Sequence, residues 1–259
     1  MNLKEWVDSD LRGLDGTPLP DDRLPTLQGL LLCLNSELSV KSVERLRSRK
    51  NVVLGINTLS ANNTEQKYVA KLFVTSHFEK ELGIIRNCLR HGLRVPEIVE
   101  ADSGVCLMSF IDGVPLVDRI NEAFDDSLVT MIAAWYYEFH QKIGITKGDP
   151  RLRNFILSHE DLYGLDFEEA TEGHWMTDIA GIAASILDTN PIFHKKKRQL
   201  VWMLLEEYLN LLGQSRNTET DTRFVTMVAN ALEETAKHRN DERIMEVCRS
   251  IRARGISLE

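Results

Sequence analysis

A change of hydrophobic period near residue 110 constrains the fold of this 259-residue chain more than any other feature. From Val40 to Phe110 the apolar residues come in short β-type runs. Val52-Val53-Leu54-Gly55-Ile56 and Tyr68-Val69-Ala70-Lys71-Leu72-Phe73-Val74 read as strands, separated by the polar loop Ser60-Ala61-Asn62-Asn63-Thr64. One helix interrupts them, over His77 to Arg90, with Phe78, Leu82, Ile85 and Leu89 on one face and Gly92 to close it. Val105 to Phe110 is a further strand, followed by a turn at Asp112-Gly113.

Beyond that turn the period is helical. Asp126-Ser127 is the expected cap of a helix carrying Leu128, Met131, Ile132, Trp135 and Phe139 on one stripe. Later helices follow Ile179-Ile182-Ile186, Val201-Leu204-Leu205-Tyr208-Leu212, Phe224-Val228-Leu232 and Ile244-Val247-Ile251. A compact non-helical stretch, Gly144 to Trp175, separates the first two. Trp135, Tyr136 and Tyr137 fall at helical spacing and read as one helix's core and surface rather than as a stacking platform. The first 40 residues, with Pro18, Pro20 and Pro25, match neither period.

Charge and cysteine use exclude several classes. The formal net charge of -8 weighs against general nucleic-acid binding, which leans on clustered cations. The basic run Lys195-Lys196-Lys197-Arg198 reads as a solvated helix start. Cys33, Cys88, Cys106 and Cys248 form no paired motif and fit a reducing cytosol, so a cytoplasmic protein is expected. The beginning of the chain lacks a signal-peptide pattern, and Leu30–Leu34 is too short an apolar stretch to span a bilayer.

The chemistry-bearing residues gather in four places. Lys147-Gly148-Asp149-Pro150-Arg151-Leu152-Arg153-Asn154 sets Asp149 and Asn154 five residues apart. Twelve residues after Asn154 comes Asp166, in Leu165-Asp166-Phe167-Glu168-Glu169-Ala170. Upstream stands Lys71, on the strand that carries Val69-Ala70-Lys71, and after it Glu81 on the next helix. In this order and spacing the chain resembles the protein-kinase-like superfamily over roughly residues 42 to 190. Its Asp-Phe-Glu form and longer helical end are similar to the aminoglycoside-phosphotransferase and lipopolysaccharide-kinase branches. Its Gly92 to Val99 segment and basic ending, Arg249 to Gly255, look like the kinase subunit of the KEOPS complex.

The resemblance implies an α+β, bilobal fold. Residues 1–110 would form an ATP-binding lobe, with an N-terminal extension of unassigned role, and residues 111–259 a helical catalytic lobe. It implies ATP and Mg²⁺ as cofactors and transfer of the γ-phosphoryl group to a hydroxyl acceptor, a small molecule or saccharide. Such chemistry asks mainly for positioning and charge neutralisation. Asn154 and Asp166 would supply hard oxygen ligands to Mg²⁺. Asp149 would take the acceptor's proton, and Arg151 would balance charge on the transferred group. Lys71 would hold the α and β phosphates and Glu81, with Glu79 as the other candidate, would hold Lys71. Met108, Ser109 and Ile111 would line the adenine pocket.

Three departures stand out. No glycine-rich loop precedes Lys71, so phosphate cover falls to the turn at Lys50 and Asn51. Lys147 replaces the usual histidine of the catalytic loop. The interval from Asp166 to Asp178 is too short for a peptide-binding activation segment, which disfavours a regulated protein kinase. Asp178 is expected either to brace the catalytic loop or to cap a helix, and His140 to be structural. Two further readings remain at this point: a KEOPS-like enzyme working with a protein partner, and a nucleotide-binding scaffold without turnover.

Overall fold

The computed structural model describes residues 3–8 and 10–258; Met1, Asn2, Ser9 and Glu259 lie outside the described residues. The chain divides into two compact units. The first contains Met1–Leu89 and Pro96–Ile111, the second Arg90–Val95 and Asp112–Glu259.

The first unit is built on an antiparallel five-stranded sheet. Its strands are β1 (Ser39–Leu46), β2 (Val52–Leu59), β3 (Glu65–Leu72), β4 (Ile98–Asp102) and β5 (Val105–Ser109), in the order β1-β2-β3-β5-β4. Period-2 alternation sends Val52, Leu54 and Ile56 of β2 to one face, where Ala70, Leu72, Val105 and Leu107 join them. Helix α1 (Arg23–Leu34) covers that face with Leu27, Leu30 and Leu31. Burying each such leucine is worth about 1.5–3 kcal/mol, so α1 belongs to the core of this unit. Arg23 ties it further, donating from Nε to the Phe73 carbonyl at 3.0 Å and from Nη1 to the Ser103 carbonyl at 2.7 Å.

The residues before α1, which no simple period explains, form a small bridge between Arg12 and Pro18. Helix α2 (Phe78–Arg90) buries Phe78, Leu82 and Ile85 as its spacing predicts. Cys88 rather than Leu89 completes the buried face, and Glu81 is buried on it too.

The second unit holds a three-stranded sheet of β6 (Val114–Pro115), β7 (Phe155–Ser158) and β8 (Asp161–Gly164), together with helices α3 (Leu116–Ala123), α4 (Asp126–Ile143), α5 (Met176–Leu187), α6 (Lys195–Leu211), α7 (Thr218–Arg239) and α8 (Glu242–Arg254). Asp125, one residue before the expected position, caps α4 by accepting from the Ser127 amide at 2.9 Å. Trp135 and Tyr136 of α4 are buried. Trp135 stacks on Phe139 and meets Phe155 edge-on. Gly164 lacks a side chain because Trp135 occupies the space: a Cβ there would sit 2.1 Å from Cζ2.

The basic run at the start of α6 is not wholly solvated. Lys197 is fully buried and donates to Asn121 Oδ1 at 2.6 Å and to the carbonyl and hydroxyl oxygens of Thr189 at 2.7 and 2.8 Å. The helical phase of α6 turns the third residue of the run inward while Lys195 and Lys196 stay outside. No described helix is long and apolar enough to cross a membrane.

Candidate active site

In the first unit, Lys71 lies on β3 opposite Val53 and Cys106. Its ammonium donates to Glu81 Oε2 at 2.7 Å, with both side chains almost completely buried. Glu79 is exposed, so α2's phase selects Glu81 as the partner. Burial, reinforced by the Glu81 carboxylate, pushes the neighbouring Cys106 thiol up to about 12.

The other first-unit residues divide. Met108 is buried on β5. Ser109 is already engaged: its amide donates to the Glu97 carbonyl at 2.9 Å and its hydroxyl accepts from the Glu97 amide at 3.0 Å. A base bound there would therefore have to use the Ser109 carbonyl and the Ile111 backbone. Lys50 is exposed on the β1–β2 turn, whereas Asn51 is buried. The Asn51 side-chain oxygen accepts from the Val74 amide at 3.0 Å and so anchors the turn.

In the second unit the loop after α4 is pinned from several directions. The Asp178 carboxylate, fully buried on α5, accepts from the Lys147 amide at 2.5 Å and the Gly148 amide at 3.2 Å. The same carboxylate pairs with His140 Nε2 at 2.9 Å, and His140 Nδ1 lies 2.7 Å from the Tyr208 hydroxyl. Asp178 is a brace and not a cap, and burial beside it pushes the Tyr208 hydroxyl far above the usual tyrosine range. Gly148 sits at φ +83°, and a Cβ there would lie 2.0 Å from the Glu169 carbonyl oxygen. Only glycine lets the segment after Asp166 cross so closely.

Lys147 takes the histidine's place and does more than fill it. Its buried ammonium donates to the Asp166 carbonyl at 2.8 Å and the Asp149 carbonyl at 3.4 Å, over the rings of Phe155 and Phe167. One cation thus ties together the two loops that carry the acidic residues. Asn154 Nδ2 donates to both the carbonyl and Oδ2 of Asp149, each at 3.0 Å. Since the amide is planar, this turns Oδ1 of Asn154 away from Asp149. Leu165 N donates to the Asn154 carbonyl at 2.8 Å, which sets Asp166, at φ +62° and exposed, one residue from Asn154 in space. An amide oxygen and an exposed carboxylate are the hard donors that Mg²⁺ takes, so the residues present fit that ion.

Beyond Asp178, which the sequence named as a brace or a cap, motif spacing did not single out the supporting face of α5. Asp178, Gly181, Ser185 and Asp188 are spaced three, four and three residues apart and lie on one helical face. Each meets the catalytic loop. A Cβ on Gly181 would lie 2.2 Å from Pro150, Ser185 Oγ accepts from the Leu152 amide at 3.1 Å, and Asp188 Oδ2 receives Arg151 Nη1 at 3.4 Å. This small-and-polar stripe on an otherwise apolar helix was the available signal. Arg151 also contacts Asp149 Oδ1 at 3.3 Å.

Residues 41–201, more than half of the chain, match the model of the RIO domain. The chain belongs to the RIO domain family. It is accordingly an ATP-dependent phosphotransferase of the protein-kinase-like superfamily, with the α+β architecture its motifs implied. Motif spacing alone did not separate the RIO domain from the other small branches.

No curated protein matches the chain in sequence. Solved structures share its fold at low identity. An amicoumacin kinase, hAmiN, in complex with AMP-PNP, Ca²⁺ and amicoumacin is 13% identical, with a TM-score of 0.58 over 84% of this chain and 87% of that one. A Plasmodium vivax ethanolamine kinase is 10% identical, with a TM-score of 0.58 over 88% and 83%. A gentamicin complex of APH(2")-IIa is 14% identical, with a TM-score of 0.53 over 84% and 93%. In this RIO domain the matched residues end within α6, so Tyr208 and all of α7 and α8 lie outside them.

Proposed function

We propose that this RIO-family kinase transfers the γ-phosphoryl group of ATP to the hydroxyl of a small molecule or saccharide, with Asp149 as the group that receives the acceptor's proton. The observation that carries this reading is the Lys147 ammonium bound to the carbonyls of both Asp149 and Asp166. It holds a proton acceptor and a cation ligand in one rigid assembly, and phosphoryl transfer depends above all on such positioning.

The remaining roles follow the same logic. Asn154 and Asp166 would hold Mg²⁺, which supplies charge neutralisation to the phosphates. Lys71, kept in place by Glu81, would hold the α and β phosphates. The β1–β2 turn would cover them with the Lys50 and Asn51 backbone, and Met108, the Ser109 carbonyl and Ile111 would take adenine. ATP binding is thus assigned to residues 1–110 and the chemistry to residues 111–259. A small-molecule acceptor is favoured by the eleven residues between Asp166 and Asp178. Among them Thr171 exchanges backbone hydrogen bonds with Thr146 at 2.8 and 3.0 Å, which ties this short segment back to the loop before Asp149.

Calorimetry of ATP binding with and without Mg²⁺ tests the assignment. Asp166→Ala is expected to lose most of the Mg²⁺-dependent gain in affinity shown by the unaltered protein. Equal gains in the two proteins would remove Asp166 from the metal site.

A further inference from the structure

The net charge of the chain is -8, yet three arginines gather around Asp149 and Asp188. Arg153 Nη2 lies 3.6 Å from Asp149 Oδ2 and Arg151 Nε 3.3 Å from Asp149 Oδ1. Arg151 continues to Asp188 Oδ2 at 3.4 Å, and Arg239, from the last turn of α7, reaches the same oxygen at 3.1 Å. The result is an alternating ladder, Arg153–Asp149–Arg151–Asp188–Arg239, in which three guanidinium groups share two carboxylates. The buried Lys197 ammonium acts on Asp188 as well. Three guanidinium groups therefore face two carboxylates, leaving a local excess of one positive charge at the surface, with Lys197 buried behind Asp188.

The excess is accessible. The side chains of Arg153 and Arg239 are 64% and 41% exposed, and that of Arg151 26%, while Asp188 is only 1% exposed. Asp188 is at the bottom of the ladder, Asp149 at 28% is as exposed as Arg151, and the Arg153 and Arg239 guanidinium groups lie at its surface. Each guanidinium carries five donors, and one or two single-point contacts to carboxylates leave most of them unspent. Of the neighbouring carboxylates, Asp178 is spent on two backbone amides and His140, and Asp166 is assigned above to Mg²⁺.

We infer that the acceptor is a hydroxyl compound bearing a phosphate group, which the Arg153–Arg151–Arg239 ladder recognises. The inference rests on the reading of Asp149 as the acceptor-side base. A phosphomonoester matches the surplus in charge, offers three oxygens to planar donor forks, and is the anion that arginine binds best. It would seat its phosphate on the ladder with a hydroxyl toward Asp149. An amine-bearing acceptor would meet like charge in the same place. Arg239 lies beyond the residues that match the family, so this recognition is a feature that α7 adds to the domain.

Calorimetry on the full chain loaded with Mg²⁺ and AMP-PNP provides the test. The probes are glycerol 3-phosphate, glycerol, its amine analogue serinol, and inorganic phosphate. Glycerol 3-phosphate and inorganic phosphate are expected to bind at least about ten-fold more tightly than glycerol or serinol, and to weaken as salt rises. Arg153→Gln and Arg239→Gln should each loosen glycerol 3-phosphate by about three- to ten-fold. Arg239→Lys, which keeps the charge and the support of Asp188, should lose less. Arg249→Gln, on the exposed face of α8, serves as the neutral control. The idea is overturned if serinol binds as well as glycerol 3-phosphate, if neither anion binds, or if anion binding ignores both glutamine variants. The same titration with inorganic phosphate in the absence of nucleotide separates the two levels. Loss of AMP-PNP binding with arginine-dependent phosphate binding retained would sink the kinase-site reading and leave the ladder standing.

Discussion

The loop at residues 146–154 and the β1–β2 turn at residues 47–51 are held in opposite ways. Side chains hold the first: Asp178 and Ser185 on α5 accept its amides, its own Lys147 binds the Asp149 carbonyl, and Gly148 and Gly181 let neighbours approach within contact distance. The second is largely exposed, and the backbone of residues 13–15 lies against it. Asp15 N donates to the Arg49 carbonyl at 3.2 Å, and a Cβ on Gly13 would sit 2.3 Å from the Lys50 carbonyl oxygen. The Arg45 guanidinium reaches the Arg12 carbonyl, and Asn51 anchors the turn's far end. A loop whose side chains do chemistry needs rotamer-level definition, so it is locked by directional bonds to a helix face. A turn that would offer only its backbone needs its path defined, and a second backbone laid against it is sufficient. In the proposed nucleotide site, the N-terminal residues would then do for a turn without glycines what glycine's freedom does elsewhere, setting its approach to a phosphate.

Four measurements would break or sharpen that contrast. The largest effect belongs to the catalytic loop's own side chain. Asp149→Asn keeps size but loses basicity, and general-base assistance is worth about 10²- to 10⁴-fold in rate, roughly 3 to 5 kcal/mol of barrier. Turnover measured by ADP release should drop by at least about two decades while ATP affinity stays near that of the unaltered protein. Equal turnover would leave Asp149 without a catalytic role.

Next comes the brace. Asp178→Ala strands the buried Lys147 amide, the Gly148 amide and His140, and should lower unfolding stability by about 3 kcal/mol in a denaturant titration, with turnover falling alongside. A change below about 0.5 kcal/mol would mean that the loop does not depend on α5.

The third concerns Lys197, behind Asp188. Burial holds its pKa down to about 8 from the ordinary 10.5. Between those values the unfolded chain binds the proton and the folded one does not, so this residue's contribution to stability rises with pH across that window. In Lys197→Met that rise, about 2 kcal/mol, should be absent from stability measured at pH 8 and pH 10. A slope unchanged by the substitution would show that the ammonium stays charged in the fold.

The smallest effect is expected at the nucleotide turn. Gly13→Val must push the Lys50 carbonyl aside, and should weaken ATP by about five-fold, near 1 kcal/mol. Gly29→Ala, on α1 with open space around it, should leave affinity unchanged. Should both variants bind ATP alike, the N-terminal segment does not position the turn.

Local pattern carried much of this architecture. The period-2 runs became β2, β3 and β5, and the helical stripes became α2 and α4 through α8, because burial of one face is decided over a few residues. The motif residues could be named in order because Asp149, Asn154 and Asp166 are close in sequence and their neighbourhood is set by short loops. Small errors also had local causes: the cap of α4 moved by one residue, and cysteines replaced apolar neighbours on the buried faces of α2 and α8.

What the sequence by itself determined was the order of β and helical parts and the superfamily, and it named the short list of candidate chemical side chains, since each depends on spacing along the chain. Tertiary structure alone decided which partner each side chain found. The choice of Glu81 over Glu79 followed from helix phase against β3. The burial of Lys197, the bracing stripe of α5 and the arrival of Arg239 at Asp188, 51 positions along the chain, followed from packing of elements far apart in sequence. Burial and charge pairing at a point in space sum over every element that meets there, and no window along the chain contains that sum.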